Sequence, residues 1–171
     1  MNLDEYSEKA IHTAIYPNKG NNIVYPVLGL IGETGEVVDK LMQAMTDNEG
    51  LIKEIGDVFW YINAICYELQ VEFKTVIKGD NITPTQLNIL ELLRTNTEIA
   101  EKTKKILRDN NGVITQEYII FMVSQLKCIS QPLISSGLLI NTGLEEILEK
   151  NIEKLFSRQE RNQLKGSGDN R

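Results

Sequence analysis

Four acidic residues have the type and spacing to do chemistry. They come as two pairs, Glu33 and Glu36 in GLIGETGEVVDK, then Glu54 and Asp57 in LIKEIGDVFWY. Each pair is spaced i, i+3, so on a helix both carboxylates share one face. Seventeen residues with a turn-like TDNEG separate the pairs, which suits two helices folded back as an antiparallel hairpin. Four carboxylates meeting across such a hairpin repel one another unless a cation sits among them. No Cys falls in the pattern, and oxygen donors alone point to a hard divalent ion, Mg²⁺ or Mn²⁺. The di-iron bundle pattern needs Glu-x-x-His motifs; the single histidine, His12, is not placed for one and reads as a surface or packing residue.

Solvated helix faces carry ExxE pairs constantly, so either pair alone says little. Three features add weight. Glu33 lies among Leu30, Ile31 and Val37, at the edge of an apolar stripe. Gly29, Gly32 and Gly35 stand in the middle of the same helix. A glycine costs a helix interior about 1 kcal/mol relative to alanine, so close approach of a backbone or a ligand is expected there. On the following helix Glu54, Asp57, Tyr61 and Glu68 cluster beside the core stripe, not opposite it.

The elements that must position these residues are helical. A first helix is predicted over Asn2 to Ile15, with Leu3, Tyr6, Ala10, Ile11 and Ala14 at helical spacing. A second runs from near Ile23 to about Met45, with Pro26 tolerated in its first turn. Asp47-Asn48-Glu49-Gly50 reads as a turn and Leu51 to about Val71 as a third helix. Thr83-Pro84 is predicted to open a helix reaching about Arg108. After a turn at Asp109 to Gly112, Thr115 to about Ile129 forms another, ended near Pro132. Ser135-Ser136-Gly137 reads as a link. Thr142 and Glu145 suggest a capping box on a last helix running to about Leu164. Strand signal is poor throughout, so the fold class is all-α.

A shift of 62 residues superposes Leu30, Glu36, Lys40, Asp47, Asn48, Gly50, Ile52, Phe59 and Cys66 on Leu92, Glu98, Lys102, Asp109, Asn110, Gly112, Ile114, Phe121 and Cys128. The match needs no gap. It implies a helical bundle of two related helix hairpins plus N- and C-terminal helices. The second hairpin is degenerate: Glu33 falls on Thr95, Glu54 on Gln116 and Asp57 on Ile119, and only Glu36 keeps an acidic counterpart, Glu98. The expected layout is one domain over 1–171, with a catalytic hairpin at about 23–71, the repeat at about 84–132, and a C-terminal helix and flexible tail at about 142–171.

The bulk numbers fit one domain. The chain has 171 residues, 42% of them hydrophobic, and a formal charge of −6. That balance argues against coating a nucleic acid, which takes a basic excess. Cys66 and Cys128 sit mid-pattern in apolar stretches and read as buried thiols, without zinc spacing. No apolar run approaches the ~18–20 residues of a membrane span, and MNLDEYSEKA is not a signal peptide. A cytoplasmic location is expected.

GLIGETGEVVDK followed by KEIGDVFWYI resembles the ExxE…ExxD signature of the MazG-like nucleoside triphosphate pyrophosphohydrolases, in the all-α NTP pyrophosphatase superfamily. NIEKLFSRQERNQLKGSGDNR is similar to the end of phage-encoded members. The resemblance implies metal-dependent hydrolysis of an NTP or dNTP to the monophosphate and pyrophosphate. Its metal positions fall on Glu33, Glu36, Glu54 and Asp57. Asn151 and Lys154 match its NxxKL pattern near substrate phosphates, and Arg158 follows on the same stripe, between Lys150 and Arg161. Tyr61, one turn past Asp57, is a further substrate candidate. So is Lys53, although it shares a face with Trp60 and Tyr67 away from the acids. Glu33, nearest the apolar stripe, is the candidate general base, because its affinity for a proton should be highest there. Members usually form homo-oligomers. A phosphoribosyl-ATP pyrophosphatase-like enzyme and a non-enzymatic helical assembly module are the alternatives.

Overall fold

The computed structural model describes residues 1–43, 47–77 and 83–163. The described residues contain no strand and form α1 (Leu3–His12), α2 (Val24–Met42), α3 (Asn48–Leu69), α4 (Phe73–Val76), α5 (Ile89–Asp109), α6 (Gln116–Leu139) and α7 (Leu144–Glu160). The chain is all-α, with the two hairpins α2–α3 and α5–α6 joined through α4.

The third helix is the axis of the bundle. It packs against α1, α2, α4, α6 and α7, and apolar residues line it almost all round, from Leu51, Ile52 and Ile55 to Ile62, Ile65 and Leu69. A helix hydrophobic on most faces belongs inside. Its ends are specified locally. Asp47 accepts from the Gly50 amide at 2.9 Å as N-cap and pairs with Lys40 of α2 at 3.1 Å. Gln70 closes the helix in the left-handed region, φ 55°. Asp47 to Gly50 is thus a cap and first helical turn, not a free turn, because the Asp47 carboxylate satisfies the first orphan amide.

Polar bonds fasten α1 to α3. The Trp60 indole donates to the Ala10 carbonyl and the Thr13 hydroxyl, and Asn63 exchanges bonds with Ser7. Trp60 is therefore a packing residue. Glu68 accepts from the Tyr16 hydroxyl and from the amides of Gly20 and Asn22. It holds the loop that enters α2, where the Asn22 side chain accepts from the Tyr25 amide.

Several predicted boundaries move, each for a tertiary reason. Thr83 and Pro84 lie outside any helix, and the residue before a proline disfavours helical backbone. Buried Ser135 of α6 clamps the Thr83–Thr85 stretch by bonds to Thr83 and Thr85. The helix starts only after Asn88, whose side chain caps the Glu91 amide. Pro132 does not end α6, which runs ten residues past Ile129 to Leu139. Burial of Ile129, Leu133, Ile134 and Ser135 outweighs the one hydrogen bond that proline removes. Ser135-Ser136-Gly137 is thus a close-packed helical turn and not a link: a Cβ on Gly137 would lie 2.8 Å from the Thr142 carbonyl oxygen. Thr142 is buried, and Gly143 takes the N-cap position of α7 without a side-chain bond. Cys66 is buried, its thiol pushed up to about 12 by desolvation, whereas Cys128 is exposed. Cys128 lies on the outer face of α6, whereas its neighbours Leu126 and Ile129 are buried.

The glycines of α2 separate into two kinds. A Cβ on Gly29 would lie 2.0 Å from the Tyr61 ring, whereas Gly32 and Gly35 face open space. Tyr61 is itself wedged edge-on against Trp60 and tilted on Tyr25, so it has little room to yield. Gly29→Ala is expected to destabilise the fold by about 2 kcal/mol through overpacking. Gly32→Ala is expected to stabilise it by about 1 kcal/mol through helix propensity. Thermal melts of the two variants, moving in opposite directions, check both.

Candidate metal and phosphate site

The first hairpin folds so that α2 and α3 present their acids to each other. One carboxylate oxygen from each of Glu33, Glu36 and Glu54 lies within 4.8 Å of the others, a spacing that could hold a metal ion. Their environments differ. Glu54 is buried, at 3% exposure, Glu33 is half-buried and Glu36 is exposed. Burial pushes the Glu33 carboxyl up to about 8, and the charges of Asp57, Glu36 and Glu54 add to that, with Lys154 opposing. Four carboxylates this close repel one another, and a cation among them would relieve that repulsion. The donor set, carboxylate oxygens only, fits a hard divalent ion.

Asp57 stands beside this trio and is engaged differently. The last helix reaches it: Lys154 donates to Asp57 Oδ2 at 2.5 Å and Asn151 Nδ2 to Oδ1 at 2.8 Å. Lys154 and Asp57 side chains are only 13% and 16% exposed. Gly56 makes the approach possible, since a Cβ there would sit 3.0 Å from that of Asn151. The basic stripe of α7 thereby splits. Asn151, Lys154 and buried Arg158 turn inward, while Lys150 pairs with Glu146 at the surface and Arg161 bonds Ser157 and Gln163.

Tyr61 is half-buried over Gly29, and burial, Tyr25 and the Glu33 charge all raise its phenol above the usual range. It borders the acids. Lys53 does not join them; it forms a surface pair with Glu49 one turn away at 3.0 Å. His12 is exposed. Lys165 and the GSGDNR end lie outside the described residues. Tyr6 carries no functional signal in the sequence beyond its place in an apolar stripe. Its hydroxyl donates to Asn151 Oδ1 at 3.0 Å. The available signal was the chemistry of tyrosine itself, whose hydroxyl needs a partner when buried.

A family model described as the MazG nucleotide pyrophosphohydrolase domain matches residues 26–80, which takes in Glu33, Glu36, Glu54 and Asp57. Gene 37 protein of Mycobacterium phage L5 is 34% identical over 90 residues, covering 44% of this chain and 79% of the relative. The chain belongs to the MazG nucleotide pyrophosphohydrolase family. No solved structure matches it. The matched segment of this MazG-family chain spans α2, α3 and α4; the inward residues of α7 lie outside it, and the fold brings Asn151 and Lys154 to Asp57. Membership supports nucleotide pyrophosphate hydrolysis as its activity. No helix among the described residues is long and apolar enough to cross a membrane.

Proposed function

We propose that this MazG-family chain hydrolyses a nucleoside or deoxynucleoside triphosphate to the monophosphate and pyrophosphate, using Mg²⁺ or Mn²⁺. The observation that carries the reading is the convergence of Glu33, Glu36 and Glu54 beside an Asp57 that two α7 side chains hold. Glu33, Glu36, Glu54 and Asp57 would hold the ion. When bound it would neutralise phosphate charge and favour attack on the α-phosphorus.

The chain's own residues supply the rest. Lys154 brings a positive charge to the edge of the acids, where it can exchange its Asp57 partner for a phosphate oxygen. Asn151 offers amide hydrogens at the same place, and Arg158 adds a buried positive charge one turn further along α7. Tyr61 closes the Gly29 side. Lys53, held by Glu49, stays a candidate for an outlying phosphate. Glu33 takes the proton of the attacking water as its oxygen bonds to the α-phosphorus and the bond to the β-bridging oxygen breaks; pyrophosphate leaves. The degenerate hairpin at about 84–132 buttresses a single site in the hairpin at about 23–71. Self-association is part of the same reading, and the exposed Leu28 and Leu90 offer apolar surface for it.

Incubation with the eight common NTPs and dNTPs and Mg²⁺ in ¹⁸O-labelled water tests the proposal. The expected products are pyrophosphate and a monophosphate carrying the label. Release of orthophosphate, or label in the pyrophosphate, would contradict it.

A further inference from the structure

Three helices meet through one line of polar side chains. Tyr6 of α1 donates to Asn151 Oδ1 of α7 at 3.0 Å, and Asn151 Nδ2 donates to Asp57 Oδ1 of α3 at 2.8 Å. Lys154 completes the line on the other oxygen of Asp57. Tyr6 is 0% exposed and Asn151 2%. The Tyr6 ring packs on Phe73, centroids 5.4 Å apart, and a phenylalanine would make that contact equally well. The hydroxyl's role must therefore lie in its hydrogen bond, because a buried hydroxyl is unfavourable unless paired.

The bond fixes a choice that an asparagine otherwise leaves open. The two ends of its amide have nearly the same shape but opposite polarity. With the Tyr6 hydroxyl donating to Oδ1, Nδ2 must face Asp57. The reverse orientation would set the amide oxygen against the Asp57 carboxylate and leave the phenol proton without an acceptor among the described residues. Burial of Tyr6 is reinforced by the charge of Asp57, and both hold its proton in place.

We infer that Tyr6 is a positioning residue of the site: acting through Asn151, it fixes the Asp57 carboxylate beside Glu33, Glu36 and Glu54. Its effect on turnover rests on the proposed pyrophosphohydrolase reading; its effect on the acids does not. Groups that orient a site through an intermediate ligand change affinity or rate by about 10–100-fold when removed.

A double-mutant cycle tests the inference, with Tyr6→Phe, Asn151→Ala and the pair measured for Mn²⁺ affinity and for pyrophosphate release. Tyr6→Phe is expected to weaken Mn²⁺ binding and lower kcat by about 10-fold, with a smaller change in KM. Adding Tyr6→Phe to Asn151→Ala is expected to change neither quantity further, since the route through Asn151 is already cut. Equal factors in both backgrounds, or wild-type behaviour of Tyr6→Phe, would overturn the inference. Should the wild type release no pyrophosphate while the Mn²⁺ cycle shows the expected coupling, the reading of the reaction fails and the role of Tyr6 stands. A wild type that neither binds Mn²⁺ nor turns over would overturn both.

Discussion

Glu33→Gln is expected to make the metal-free protein more stable while lowering pyrophosphate release by at least about 1,000-fold. The two effects have one cause. Folding carries Glu33 into a half-buried place among Asp57, Glu36 and Glu54, where its carboxyl rises to about 8. The folded chain therefore holds a proton that the unfolded chain, with an ordinary glutamate near 4.5, has released. Stability falls wherever the folded state binds more protons than the unfolded one. The penalty is absent below about pH 4.5, grows through the window up to about 8, and is constant above it. After a discount for the partial exposure of Glu33, it amounts to about 2 kcal/mol at pH 8. Glutamine, close to the neutral acid in shape, avoids it. Melting curves of wild type and variant without divalent ions should coincide near pH 5 and separate toward pH 8, the variant melting higher by about 5 °C. Added Mg²⁺ should stabilise the wild type and close that gap, because a ligand bound to the folded state alone shifts the equilibrium by mass action. The loss of turnover follows from the two roles proposed for Glu33, in holding the ion and in accepting the proton.

Lys154→Met is expected to act in the opposite sense on stability and in the same sense on activity. The ammonium is largely withdrawn from solvent, 2.5 Å from Asp57, and it opposes the rise of Glu33. Removing one partner of such a pair leaves a half-buried charge with less compensation, here beside three more carboxylates. A loss of about 2 kcal/mol is expected, smaller than for a fully buried pair because Asn151 still donates to Asp57. Chemical denaturation without metal measures it. Activity should fall by about 100-fold, the scale of losing one charged donor to a transferring phosphoryl group. Lys150→Met, which breaks only a surface pair with Glu146, should change stability by less than about 0.5 kcal/mol.

What was legible in the sequence is what local spacing encodes. The ExxE and ExxD pairs each fix a helix face, and an intervening turn lets the faces meet, so the trio Glu33, Glu36 and Glu54 follows from short-range pattern. The all-α class follows from the apolar periods of α2, α3 and α5. Contacts across long chain separations were not legible in the spacing: the NxxKL resemblance names Asn151 and Lys154 for substrate phosphates, but not their hold on Asp57. Asn151 and Lys154 reach Asp57 across 94 and 97 residues, and their helix carries basic residues on both its inward and outward sides. Tyr6 joins the site across 145 residues and looks like any other member of an apolar stripe. The helix ends at Thr83-Pro84, Pro132 and Thr142 were misplaced for a related reason. Proline and capping rules are local, and buried neighbours such as Ser135 and Leu133 decide otherwise. Gly56 carries no local signal that sets it apart from Gly29, Gly32 and Gly35, although it is the glycine that admits Asn151.

The most direct test of the account uses Glu36, the exposed member of the carboxylate trio. Pyrophosphate release by wild type and Glu36→Gln should be measured side by side with Mg²⁺ and the best nucleotide of the panel. The account predicts a fall of at least about 1,000-fold with the helix content retained, because the proposed role of this carboxylate is to hold the ion. Release at a rate comparable to wild type would contradict it.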